Sequence, residues 1–233
     1  MSRETWISIL IPAIVCVVVT LFAPAAYAGP ELICWPFDIG NAQSLPWSSG
    51  GWHATRADYN LNQLAKDTLA LLSPDTLVLV RMETLRRAAI YAEKDQRVAD
   101  ELFAMLEKRA RLMETKGRPD GLAIFDLGYF VEAHKQAHYG KSISAAVRGV
   151  NGYEEAVRAL RLRGNDPQME FGAALLAQVT GNQANARGHI EKAVAGAADG
   201  SLLAANLVTH SHLLRMRAAT LAELRAQVSH ARN

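Results

Sequence analysis

His134 and His138 stand four residues apart, which puts two imidazoles one turn apart on one face of a helix, a spacing that can chelate zinc, with Glu132 close by in sequence. Lys135, Gln136 and Ala137 lie between them, so the HEXXH pattern and its general base are missing. His210 and His212 could complete a metal set only if the fold carried them there. A metal-dependent helical hydrolase using Glu132, His134 and His138 is therefore kept as the alternative function. No G-x-S-x-G elbow, P-loop or dinucleotide fingerprint is present. Catalysis is not expected, and neither is a cofactor or a bound metal.

A second cluster is the run Arg81-Met82-Glu83-Thr84-Leu85-Arg86-Arg87. Glu83 and Arg87 are spaced for an i,i+4 ion pair, which on an exposed helix is simply a solvated face. The functional alternative is a rim of Arg81, Glu83 and Arg87, with Tyr91 nearby, gripping a carboxylate or phosphate of a partner, because a guanidinium presents a planar fork of donors.

The third group is aromatic. Trp35, Trp47 and Trp52 lie among Pro36, Gly40, Pro46, Gly50 and Gly51, so they sit on an extended, turning arm and not on a helix. Such an arm can hold a partner, or it can fold back and cap the helices. Capping is preferred, since exposed tryptophans beside Phe37, Ile39 and Leu45 would invite aggregation.

The elements that must position these residues read as helices throughout. From about residue 54 apolar side chains recur at three and four, and no alternating run bounded by turns competes. Leu61, Leu64, Thr68 and Leu72 form one stripe, and Ser73-Pro74-Asp75 predicts the cap and first turn of the next helix. Val78, Met82, Leu85, Ala89 and Ala92 form the second. Asp95 is the expected N-cap of a third, carrying Val98, Leu102, Met105, Leu106 and Met113. A fourth is expected over residues 120–139, shorter segments follow, and residues 201–230 supply one or two more. About eight to ten helices with short connections imply antiparallel neighbours.

The N-terminus carries Arg3, an apolar run over residues 6–22 and Ala26-Tyr27-Ala28, the pattern of a signal peptide cleaved after Ala28. The run falls short of the roughly 20 apolar residues that span a bilayer, so no permanent membrane span is expected in the mature chain. Removing Arg3 and Glu4 leaves the net charge at +2, with no footprint for nucleic acid. Cys16 would be lost with the leader, leaving Cys34 alone, read as a buried thiol.

Asn151-Gly152-Tyr153-Glu154-Glu155-Ala156 is followed by Leu160 and Pro167, and Gly181-Asn182 by Ala186, Ile190 and Ala193, with Ala156 and Ala186 lying 30 residues apart. With Leu127-Gly128 and Ala174 as close-packing positions of the preceding helices, residues 121–200 resemble tetratricopeptide repeats. Arg163 and Glu170 depart from that pattern. The resemblance implies helix pairs stacked as a superhelix whose concave face binds peptides or proteins, with no chemistry of its own. The expectation is thus an all-α chain: a leader over 1–28, a Trp-rich non-helical arm over 29–54, and a single domain over 55–233 of antiparallel hairpins stacked as a short tetratricopeptide-like solenoid. Its expected role is a periplasmic or secreted binding or scaffolding module for a peptide or protein partner.

Overall fold

The computed structural model describes residues 30–164 and 166–230; the expected leader lies outside them. Among the described residues ten α-helices follow a 3₁₀ turn at Leu61–Gln63, and no strand forms. The helices are α1 (Leu64–Leu71), α2 (Val78–Ala92), α3 (Gln96–Thr115), α4 (Gly121–Ala137), α5 (Ala145–Arg148), α6 (Gly152–Arg163), α7 (Pro167–Val179), α8 (Gln183–Gly196), α9 (Leu202–Thr209) and α10 (Leu221–His230). Most begin where the sequence offers an oxygen to the free backbone amides of a first turn. Asp95 caps α3, Asp120 α4, Asn151 α6, Asp166 α7 and Ser201 α9, each accepting from amides two or three residues on.

The start of α2 departs from expectation. Ser73-Pro74-Asp75 forms a turn, closed by the Thr76 amide donating to the Ser73 carbonyl at 3.1 Å, and the helix begins only at Val78 with no cap of its own. The reason is tertiary. Arg81 reaches back to the carbonyls of Leu72, Ser73 and Thr76, holding them out of a helix, while Gln168 of α7 takes the Leu79 amide at 3.0 Å.

α2 and α4 are the central helices. In α2 every residue but Arg87 is buried, and in α4 the first 14 residues, Gly121 to His134, are all buried. α4 packs on α2, α3, α6 and α7, and α7 pairs with α8. The α4–α6 approach is close because two glycines face each other: a methyl at Gly128 would lie 2.6 Å from the Gly152 carbonyl oxygen. Met105, expected in the core, is 37% exposed on the outer face of α3.

The arm is part of this core. Leu32, Ile33, Phe37, Ile39 and Leu45 are buried, and Phe37 stacks on His210, which follows α9, and meets Tyr129 of α4 and Phe171 of α7 edge-on. Asn206 of α9 pairs with the Asp38 backbone in both directions, accepting from its amide at 2.9 Å and donating to its carbonyl at 2.8 Å. A chain beginning at Ala54 loses five buried apolar side chains at about 2–4 kcal/mol each, comparable to the whole stability of a domain. In a urea melt followed by circular dichroism it is expected to show no cooperative transition where the chain from Gly29 does.

Candidate functional site

The charged run of α2 turns inward. Glu83 is fully buried, and its carboxylate accepts four hydrogen bonds: from Arg86 Nε at 2.7 Å and Nη2 at 2.9 Å, from Arg87 Nε at 2.7 Å, and from the Phe37 amide at 3.1 Å. That fills the lone-pair capacity of a carboxylate. Arg86 spends its remaining donor on the arm, giving Nη1 to the carbonyls of Ile33 at 2.8 Å and Trp52 at 2.9 Å, and Arg87 binds the Leu45 carbonyl at 2.7 Å. Tyr91, also buried, donates its hydroxyl to the Pro46 carbonyl at 2.7 Å and accepts from the Arg56 amide. The expected rim of Arg81, Glu83 and Arg87 is therefore not open to a partner. These side chains bind the chain's own arm and turns, because α2 lies in the middle of the molecule.

Arg81 forms a second buried pair, with Nη1 2.6 Å from Asp126 Oδ2; Arg109 stands 3.9 Å from the same oxygen and donates to the Leu72 carbonyl at 2.7 Å. Burial pushes the Asp126 carboxyl up to about 6 despite the neighbouring Arg81 and Arg109, and its Oδ1 has no hydrogen-bond partner.

Of the arm's tryptophans, Trp47 packs edge-on against Tyr91 with the guanidinium carbons of Arg86 and Arg87 at 5.1 and 5.4 Å from its ring centre, within cation–π range. Trp35 meets His212 with ring centres 4.2 Å apart. Trp52 is exposed, with its ring against His53. Cys34 is free and half-buried, and burial raises its thiol pKa.

His134 and His138 do come together, with ring centres 4.0 Å apart, and His134 stacks on Phe130. Neither ring nitrogen of His134 has a hydrogen-bond partner. Burial, with His138 beside it, pulls the His134 pKa down to about 4, and burial lowers that of His138. Glu132 is not with them. It takes the Gly152 amide at 2.8 Å and Lys135 at 2.9 Å, at the start of α6. Two residues apart on a helix point to different sides. His210 and His212 are occupied by Phe37 and Trp35 of the arm, and no group of three His, Cys, Asp or Glu suited to a metal occurs among the described residues.

One polar chain was not foreseen. Glu170, on α7, is buried, at one of the two positions that depart from the expected repeat pattern. It meets His189 Nδ1 at 2.5 Å and Lys192 at 3.1 Å, and His189 Nε2 lies 3.1 Å from the Tyr153 hydroxyl. The arrangement is a carboxylate–imidazole–phenol chain. Burial raises the Tyr153 pKa, so the phenol is not activated as a nucleophile, and the chain joins α6, α7 and α8. Its sequence signal was the misfit carboxylate itself, with His189 and Lys192 three residues apart on the next helix.

One of several open clefts, of about 320 Å³, lies between the ends of α7, α8, α10 and the turn after α9. Ile190, Leu214, Met216 and Val228 give it apolar walls, and Gln178, Gln183, Arg187, Glu191, Arg215 and Gln227 edge it. Gln183, Arg187, Arg215 and Gln227 are exposed, so it reaches the surface. No protein-family model, curated protein or solved structure matches the chain.

Two buried groups of α4, His134 and Asp126, make the stability of the fold depend on pH in opposite directions. His134 titrates near 4 folded against 6.5 unfolded; its share of stability is complete above 6.5 and is lost as pH falls towards 4, roughly 3 kcal/mol by linkage. Asp126 runs the other way, its share full below 3.8 and lost as pH rises through about 6. Urea midpoints measured from pH 7 to 4 should therefore fall less in His134→Leu than in the native chain, and fall more in Asp126→Asn.

Proposed function

We propose that this chain is an exported binding or scaffolding module for a peptide or protein partner, without catalysis of its own, and that its contact surface is the cleft between α8 and α10. The observation that carries this reading is the contrast in hydrogen-bond occupancy. The charged groups of α2, with Tyr91 and the arm's Trp47, are engaged inside the fold and of the arm's tryptophans Trp52 is exposed, whereas the cleft sets apolar walls among exposed polar side chains. That composition suits recognition by shape and a few placed polar groups.

The order of helix contacts supports a stacking in the manner of tetratricopeptide hairpins. α4 packs on α6 and α7 on α8, as first and second helices of a pair would, while α2 packs on α4 and α6 on α7, as successive pairs would. In such an arrangement α2, α4 and α7 would share the inner face, and the arm lies across all three. The inner groove would then be filled by the chain itself, moving the free surface to the C-terminal end. Export is supported by the leader pattern over residues 1–28.

Panning a peptide library displayed with free C-termini against the full mature chain is expected to enrich a consensus, and Val228→Trp, which narrows the cleft from its half-buried wall, should weaken the enriched peptides by about tenfold or more with an unchanged urea midpoint. Absence of enrichment, or indifference to Val228→Trp, would overturn the assignment.

A further inference from the structure

Resting on that binding reading, we infer that the occupant of the cleft is a peptide C-terminus: an aliphatic last side chain against the apolar walls and its α-carboxylate on Arg215. Size is the first argument. At about 320 Å³ the cleft is at the small end of ligand sites, which suits one anchored residue.

Charge is the second. Arg187, Glu191 and Arg215 are the charged side chains of the lining. Arg187 lies 3.3 Å from Glu191 on the same helix, which leaves one positive charge, that of Arg215, among the described residues of the lining. Arg215 makes no ion pair or side-chain hydrogen bond among the described residues, and neither do the Gln178 and Gln183 amides. A guanidinium matches a carboxylate in a two-pronged geometry, and the amides can serve the last peptide bond.

The backbone is the third. The turn after α9 closes with the Met216 amide donating to the Ser211 carbonyl at 2.9 Å and the Arg215 amide to the His212 carbonyl at 3.2 Å. That is a Schellman closure, whose left-handed position is ordinarily glycine. Here it is Arg215, with φ at 57°, the one positive φ outside glycine among the described residues. An L side chain is strained there. The fold would be served better by glycine, so the guanidinium has a use that folding does not explain.

The test titrates the full mature chain calorimetrically with acetyl-Ala-Ala-Leu-Leu as the free acid, with the same peptide as its C-terminal amide, and with decanoate. The free acid should bind about tenfold tighter than the amide, the worth of one charged hydrogen-bonded contact. Arg215→Gly should raise the urea midpoint and abolish that tenfold difference, a combination that a structural role would not give. Equal binding of acid and amide, or decanoate binding tighter than the acid, overturns the inference. If acid and amide bind equally and Val228→Trp abolishes both, the carboxylate is wrong and the binding reading stands; if neither binds and panning enriches nothing, both fall.

Discussion

A carboxylate fully shielded from water must be given its hydrogen bonds by the protein or be neutralised. Glu83 meets that constraint with four donors, and only one route supplies them: Arg86 and Arg87 from its own helix, and the amide of Phe37 from 46 residues earlier in the chain. The guanidiniums recruited in this way have donors left over, and the carbonyls of Ile33, Leu45 and Trp52 take them. An extended segment with no ladder of its own thereby has its backbone polar groups satisfied. Glu83 at the centre of α2 and the arm across it are thus one structure, and neither can be ordered without the other.

Similar joints recur on the other inward helices. Asp126 of α4 holds Arg81, which in turn holds the carbonyls that end α1. Glu132 of the same helix meets the first amide of α6, where a carboxylate also complements the positive end of the helix dipole. Glu170 of α7 reaches α8 through His189 and Lys192. Helices with nearly featureless apolar surfaces pack in many registers, and a buried polar group that has one partner selects among them. The carboxylates set how each helix meets the next, while Phe37, Phe171 and their neighbours supply the area.

Helix identity was legible because it is local: Asp95, Asp120, Asn151, Asp166 and Ser201 cap where their types say they should. The burial of α2 was not, because an i,i+4 spacing of Glu83 and Arg87 looks the same on a solvated face as in a core. What decides between them is a non-local partner. The same holds for Ser73, whose capping chemistry is sound but loses to Arg81, and for Glu132, whose nearness in sequence to His134 says nothing of the different side it faces. The cleft was invisible for a further reason: its walls come from α8, α10 and a turn, and its charged edge sits at a left-handed position without the glycine that advertises one.

The placement of unused donors then constrains where recognition can occur. A group already saturated inside the fold must break those bonds to greet a ligand, and for Glu83, Arg86 or Arg81 this would strand a buried charge, a penalty of several kcal/mol. A group at an exposed edge trades only water. Arg215 and the amides of Gln178 and Gln183 are of the second kind, and they stand beside apolar walls that water wets poorly. The arm is one outcome of that rule: at the α2 face directed donors meet an apolar floor, and the extended chain they bind is the protein's own. The cleft at the C-terminal end sets donors beside apolar walls in the same way, which is the ground on which a bound peptide is proposed there.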